Sequence, residues 1–100
     1  MNVREALIAV RELLTDPKHW TQGFYARDEA GGLMDPKDSR AACWCLLGAC
    51  RKVADTYDNS ERLGIFLSGV QDESIVSFND HPLTKHEDVL NLLDKTIANA

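Results

Sequence analysis

The stretch Arg40-Ala41-Ala42-Cys43-Trp44-Cys45-Leu46-Leu47-Gly48-Ala49-Cys50-Arg51-Lys52-Val53-Ala54-Asp55 decides how this chain is read. Ten of its residues, Ala41 to Cys50, carry no charge and almost no polarity. As a helix those ten rise about 15 Å, half the hydrocarbon thickness of a bilayer, so they do not span a membrane. A helix that is apolar all round belongs inside a core. The pattern predicts a helix over 40–55, capped by Asp38 or Ser39, with the rest of the chain packed around it. Gly48 within it would cost about 1 kcal/mol relative to Ala, which points to a close neighbour at that position.

Three further helices follow from periodicity. Val3, Leu7, Val10, Leu13 and Leu14 form one apolar stripe, ended by Asp16-Pro17. Tyr57-Asp58-Asn59 reads as a turn, and a helix is expected from Ser60 with Leu63, Phe66, Leu67 and Val70 as its stripe. Thr84-Lys85-His86-Glu87 fits a capping box, and Val89, Leu90, Leu93 and Ile97 follow at helical spacing. Ser74 to Phe78 alternates like a short strand, and 19–25 could supply a second. The expected architecture is mainly α: a single domain over 1–100, a compact bundle of about four helices around a central apolar one, with room for a small two-stranded β ribbon.

Composition excludes several roles. Sixteen acidic residues against eleven basic give a net charge of −5. Arg51-Lys52 is the sole adjacent basic pair, so the clustered positive charge that direct nucleic-acid binding needs is missing, and anionic membranes are disfavoured likewise. The opening residues become an amphipathic helix instead of a charged segment followed by an apolar one, and three cysteines do not make a disulfide framework. A cytoplasmic protein with reduced thiols is expected.

The chemistry-bearing residues do not assemble into a known catalytic or metal pattern. On a helix, Cys43 and Cys45 would point about 200° apart, and Cys43 and Cys50 would lie about 10 Å apart along the axis, so none of these pairs favours a shared ion. A cysteine nucleophile needs a base in reach, and the spacing selects none of His19, His81 and His86. Asp80-His81 could be an acid–base couple, but it equally forms the turn before a capped helix. Asp28, Glu29, Asp35 and Asp38 do not match a calcium loop, and Gly31-Gly32 lacks the residues of a phosphate loop. No metal, cofactor or catalytic residue is therefore expected.

The remaining signal lies in three blocks: Trp20-x-Gln22-Gly23-x-x-Ala26-Arg27-Asp28, then Trp44-Cys45-x-x-Gly48-Ala49, then Phe78-Asn79-Asp80. Together they resemble an uncharacterised bacterial and phage family, a domain of unknown function with W-x-Q-G-x-x-A-R-D, W-C-x-x-G-A and W-N-D blocks. The resemblance covers about residues 3 to 98. Phe78 stands where that family has Trp, and Cys50 where it more often has Leu. It implies a compact, mainly helical cytoplasmic protein and carries no activity or cofactor.

Trp20, Gln22, Arg27, Asp28, Trp44, Asn79 and Asp80 are thus the candidate binding or loop-organising residues. Trp20 and Trp44 could pack together, and Arg27 could pair with Asp80 to pin two connections. Such side chains either satisfy buried backbone groups or line a pocket; the first is obligatory wherever backbone is irregular and buried, and it is the favoured reading. Small size, acidity and the lack of a catalytic constellation point to a non-enzymatic protein-binding or regulatory module with a protein partner. A phage-encoded inhibitor of a host defence protein, such as an anti-CRISPR, is one specific version. The alternative is a small-ligand-binding protein or enzyme using the Trp/Gln/Arg/Asp loop site.

Overall fold

The computed structural model describes residues 2–100. Five α-helices surround one core: α1 (Val3–Leu13), α2 (Leu46–Val53), α3 (Tyr57–Gln71), α4 (Ile75–Asp80) and α5 (His86–Ala98). A two-stranded antiparallel ribbon, β1 (Ala26–Arg27) with β2 (Cys43–Trp44), pairs Ala26 with Trp44 and Arg27 with Cys43. The architecture is the expected one, mainly helical with a small ribbon. Leu7, Val10 and Leu14 meet Leu46, Ala49 and Cys50 from α2, Leu63 and Leu67 from α3, Ile75 from α4, and Val89, Leu92 and Leu93 from α5. The helix α2 packs against α1, α3 and α4, and α5 closes the bundle against α1 and α3.

The central helix is half as long as its apolar run predicts. From 40 to 45 the chain is not helical, and residues 43–44 are extended. Two causes are visible. The Asp38 carboxylate turns back to accept the Arg40 N–H at 2.8 Å and to pair with its guanidinium, a local bond that competes with helix formation. Beyond it, Ala42 N–H donates to Arg27 O and Cys45 N–H to Tyr25 O, so the ribbon takes the backbone groups a helix would use. A short apolar run fits a buried strand as well as a buried helix, and here it is both in succession. The helix starts at Leu46 with Cys45 as its cap, the thiol sulfur accepting the Gly48 N–H at 3.3 Å.

Other boundaries moved for local reasons. The helix α3 starts at Tyr57 and not Ser60, because Thr56 Oγ1 accepts the Asn59 N–H and Asn59 Nδ2 donates to Asp55. It runs through Ser68-Gly69 and ends where Asp72 adopts a left-handed conformation, φ 60°. At α5 the cap lies one residue later than the Thr84/Glu87 box: Asp88 Oδ2 accepts the Lys85 N–H at 2.9 Å. The alternating segment Ser74–Phe78 is not a strand but the start of α4. Among the described residues no partner strand lies beside it, and a helix pairs its own backbone groups, Phe78 N–H donating to Ser74 O. Residues 19–25 are not a strand either; a 3-10 turn, Pro17–His19, leads to Trp20, which makes an isolated bridge with Trp44.

Gly48 has the close neighbour its position implied. A Cβ there would stand 1.8 Å from Tyr25 O. The ribbon therefore lies directly on α2, with no side chain between the two backbones.

Candidate functional site

Asn79 is the centre of the sequence-derived residues. It sits in the last turn of α4 and is 1% exposed. Ile75 one turn earlier is anchored in the core and aims Asn79 inward. Its Oδ1 accepts from Trp20 Nε1 at 2.7 Å and from the Leu46 backbone N–H at 3.1 Å. Its Nδ2 donates to Thr21 O at 3.1 Å and Asp80 Oδ1 at 2.9 Å. One amide group thus makes four hydrogen bonds, as many as its geometry admits. Leu46 is the first residue of α2, so Asn79 satisfies a helix-end N–H left without an intrahelical acceptor.

Gln22 and Asp80 extend this network. Gln22 Nε2 donates to Asn79 O at 2.8 Å and to His81 O at 3.2 Å. Asp80 Oδ1 accepts the Gly23 N–H at 3.0 Å, and Gly23 has φ +86°, where a residue with Cβ is strained.

Arg27 does not pair with Asp80. Its guanidinium goes to neutral acceptors that hold its own loop: Thr21 Oγ1 at 3.2 Å, Gln22 O at 3.3 Å and Gly31 O at 3.3 Å. Asp28 closes the next turn, accepting N–H groups from Ala30 and Gly32. The two tryptophans meet through backbone, and their indoles diverge. Trp20 lies against His86, ring centroids 6.0 Å apart, whereas Trp44 Nε1 donates to Pro36 O at 3.0 Å. Of the four concavities described for this molecule, none is lined by Trp20, Gln22, Arg27, Asn79 or Asp80; Asp28 and Trp44 border one.

The cysteines take three different places. Cys43 is in β2, Cys45 caps α2 and Cys50 lies in the core, so the helical phase expected between Cys43 and Cys45 does not apply. Burial pushes the Cys45 thiol up and the Cys50 thiol up to about 12. Both stay protonated near neutrality, unsuited to nucleophilic work. Among the described residues no three His, Cys, Asp or Glu side chains are grouped so that they could hold a metal ion.

A scan against family models matches residues 1–99 to DUF6197, a family of unknown function. The chain belongs to the DUF6197 family. No curated protein and no solved structure matches it significantly. In this DUF6197 chain the three blocks quoted above are the segments that meet at Asn79 and at the Gly48–Tyr25 contact. No helix among the described residues is long and apolar enough to cross a membrane.

Two surfaces of this DUF6197 chain escaped the periodicity. On α3 only Leu63 and Leu67 of the expected stripe turn inward; Phe66 and Val70 stay exposed, as does Ile65 at 70%. Ile65 and Val76 border a groove of about 640 Å³ between α3 and α4, rimmed by Glu61, Asp72 and Glu73. The second surface is a cleft of about 600 Å³ beside the ribbon, where Tyr25, Pro36 and Lys37 face Arg51, Asp55 and Tyr57. In the sequence Arg51 stands out only as half of a basic pair. A charged residue one turn from the end of an apolar helix is the signal that could have marked it.

Proposed function

We propose that this chain is a protein-binding or regulatory module whose partner surface is the α3–α4 groove. One observation carries the reading: Ile65 of α3 and Val76 of α4, both unburied, line one groove together with three carboxylates. Ile65, Phe66, Val70 and Val76 are all exposed on these two helices. Contiguous apolar surface rimmed by polar groups is characteristic of interaction sites. Glu61, Asp72 and Glu73 set the sign of the complement, a basic amphipathic segment of a protein, and the net charge of −5 favours its approach. A more specific version is a phage-encoded cytoplasmic inhibitor that occupies the basic nucleic-acid-binding surface of a host defence protein, as an anti-CRISPR does.

The test is affinity capture from the host with the wild-type chain and an Ile65→Ser/Val76→Ser variant, followed by titration of the purified partner. A basic partner captured by the wild type, lost with the variant and weakened by salt is the expected result. Equal binding by both chains would sink the assignment of this surface. Competition between the chain and nucleic acid for the purified partner is expected of the inhibitor; simultaneous binding rules that version out.

A further inference from the structure

We infer that the cleft over Arg51 is a binding site for a planar aromatic monocarboxylate. The inference rests on an arginine that is held in place while its donors are left unused. The Arg51 guanidinium carbon lies 4.4 Å from the ring centroid of Tyr25 and 5.3 Å from that of Tyr57, over the faces of both. Rings at these distances attract the cation and restrict its rotamers without consuming its N–H groups. Among the described residues none of the Arg51 donors makes a hydrogen bond. The closest carboxylate oxygen, Glu61 Oε1, is 3.9 Å from Nη2, and Nε is buried without a partner. A planar fork already fixed in orientation is the arrangement that binds a carboxylate through two parallel N–H bonds.

The walls restrict what the carboxylate is attached to. Phe24, Tyr25, Pro36 and Tyr57 supply flat apolar surface, and about 600 Å³ accommodates a small organic molecule. Tyr57 is 64% exposed, which leaves much of its ring free for a second planar group to stack on.

The charges restrict the anion. Lys37 Nζ is tied to Ala54 O at 2.7 Å, which fixes a second cation at the rim, while Asp35 and Asp55 stand in the same lining. Two cations stand against two carboxylates in the lining, with Glu61 behind Arg51 as a third, so the cleft has no excess of positive charge. A monoanion can use Arg51 there, whereas a phosphate dianion meets both aspartates. This cleft shares no lining residue with the α3–α4 groove, so the two proposals stand or fall separately.

The experiment is an NMR titration of the folded chain with 2-naphthoate, 2-naphthamide and 2-naphthyl phosphate. Saturable shifts are expected for naphthoate at the amides of Tyr25, Lys37, Arg51 and Tyr57, with the neutral amide at least about tenfold weaker and the phosphate weaker than the acid. Arg51→Gln is expected to erase the preference for acid over amide, with an unchanged melting temperature as its folding control. If Arg51→Gln does not fold, Arg51→Lys takes its place; it keeps the charge, loses the fork and is expected to weaken naphthoate several-fold. The proposal is overturned by an amide that binds as tightly as the acid, a phosphate that binds more tightly, shifts centred elsewhere, no saturable shift at about 5 mM, or an acid preference that survives the substitution.

Discussion

Around Asn79 a single side chain joins three segments and leaves no polar atom of its amide idle. On the outer faces of α3 and of α4 itself, four apolar side chains are presented to solvent, and Gly69 of α3 has nothing among the described residues within 4 Å of where a Cβ would be. The same short chain thus holds one region in which every group is committed and another in which apolar groups are uncommitted. Positioning of irregular backbone explains the first. The second region is not used in the packing described for the monomer, and that contrast is why the proposed binding surface lies on α3 and α4.

The comparison breaks most readily at Gly48. Gly48→Ala drives a methyl group into Tyr25 O and is expected to cost about 3 kcal/mol or more in chemical denaturation. A loss under about 1 kcal/mol would mean that the ribbon can slide off α2, and the committed region would be softer than described. Asn79→Ala removes the acceptor of two N–H groups and the donor to Thr21 O, with an expected cost of about 2–3 kcal/mol. The Trp20 indole fluorescence should shift to the red as water reaches its N–H.

Alkaline pH tests the core beneath. Cys50 has a folded pKa of about 12 against an ordinary value of 9, so folding favours its neutral form. Its contribution is fully present below pH 9 and is lost as pH rises from 9 toward 12. Urea melts over that window should show falling stability in the wild type and a shallower fall in Cys50→Ala; parallel curves would contradict the burial of this thiol. The smallest effect belongs to the uncommitted region. Ile65→Ser should leave stability within about 0.5 kcal/mol while removing partner capture. A destabilisation of several times that would show that Ile65 belongs to the fold.

What the sequence made legible follows the same division. The stripe Val3, Leu7, Val10 and Leu14 and the stripe Val89 and Leu93 were readable, because regular helices bury residues at fixed spacing. Asn79, Gln22 and Trp20 were identifiable as residues that organise connections, since irregular buried backbone must be paired by someone. Their partners were not. Whether Arg27 faces Asp80 or its own loop depends on a turn at Gly23 and Gly31 that periodicity does not describe. The run from Ala41 to Cys50 could not reveal its change from strand to helix at Cys45, since both states bury apolar residues equally well. Phe66 and Val70 matched the stripe of α3 yet remain outside, because the neighbours that would cover them are set by tertiary packing and not by spacing. Arg51 shows the converse: its two aromatic contacts come from the ribbon and from α3, and no local pattern joins them.

The capping of α2 by Asn79 also has a consequence for how the chain reaches this fold. An eight-residue helix is too short to persist alone in water. Its first N–H waits for a side chain 33 positions later, which in turn holds an indole 59 positions earlier. Formation of the middle of the protein therefore depends on closing two long loops, a contact pattern that slows folding relative to a simple helical bundle. Released from the ribosome only as far as α3, the chain would still lack the side chain that accepts the first N–H of its own central helix.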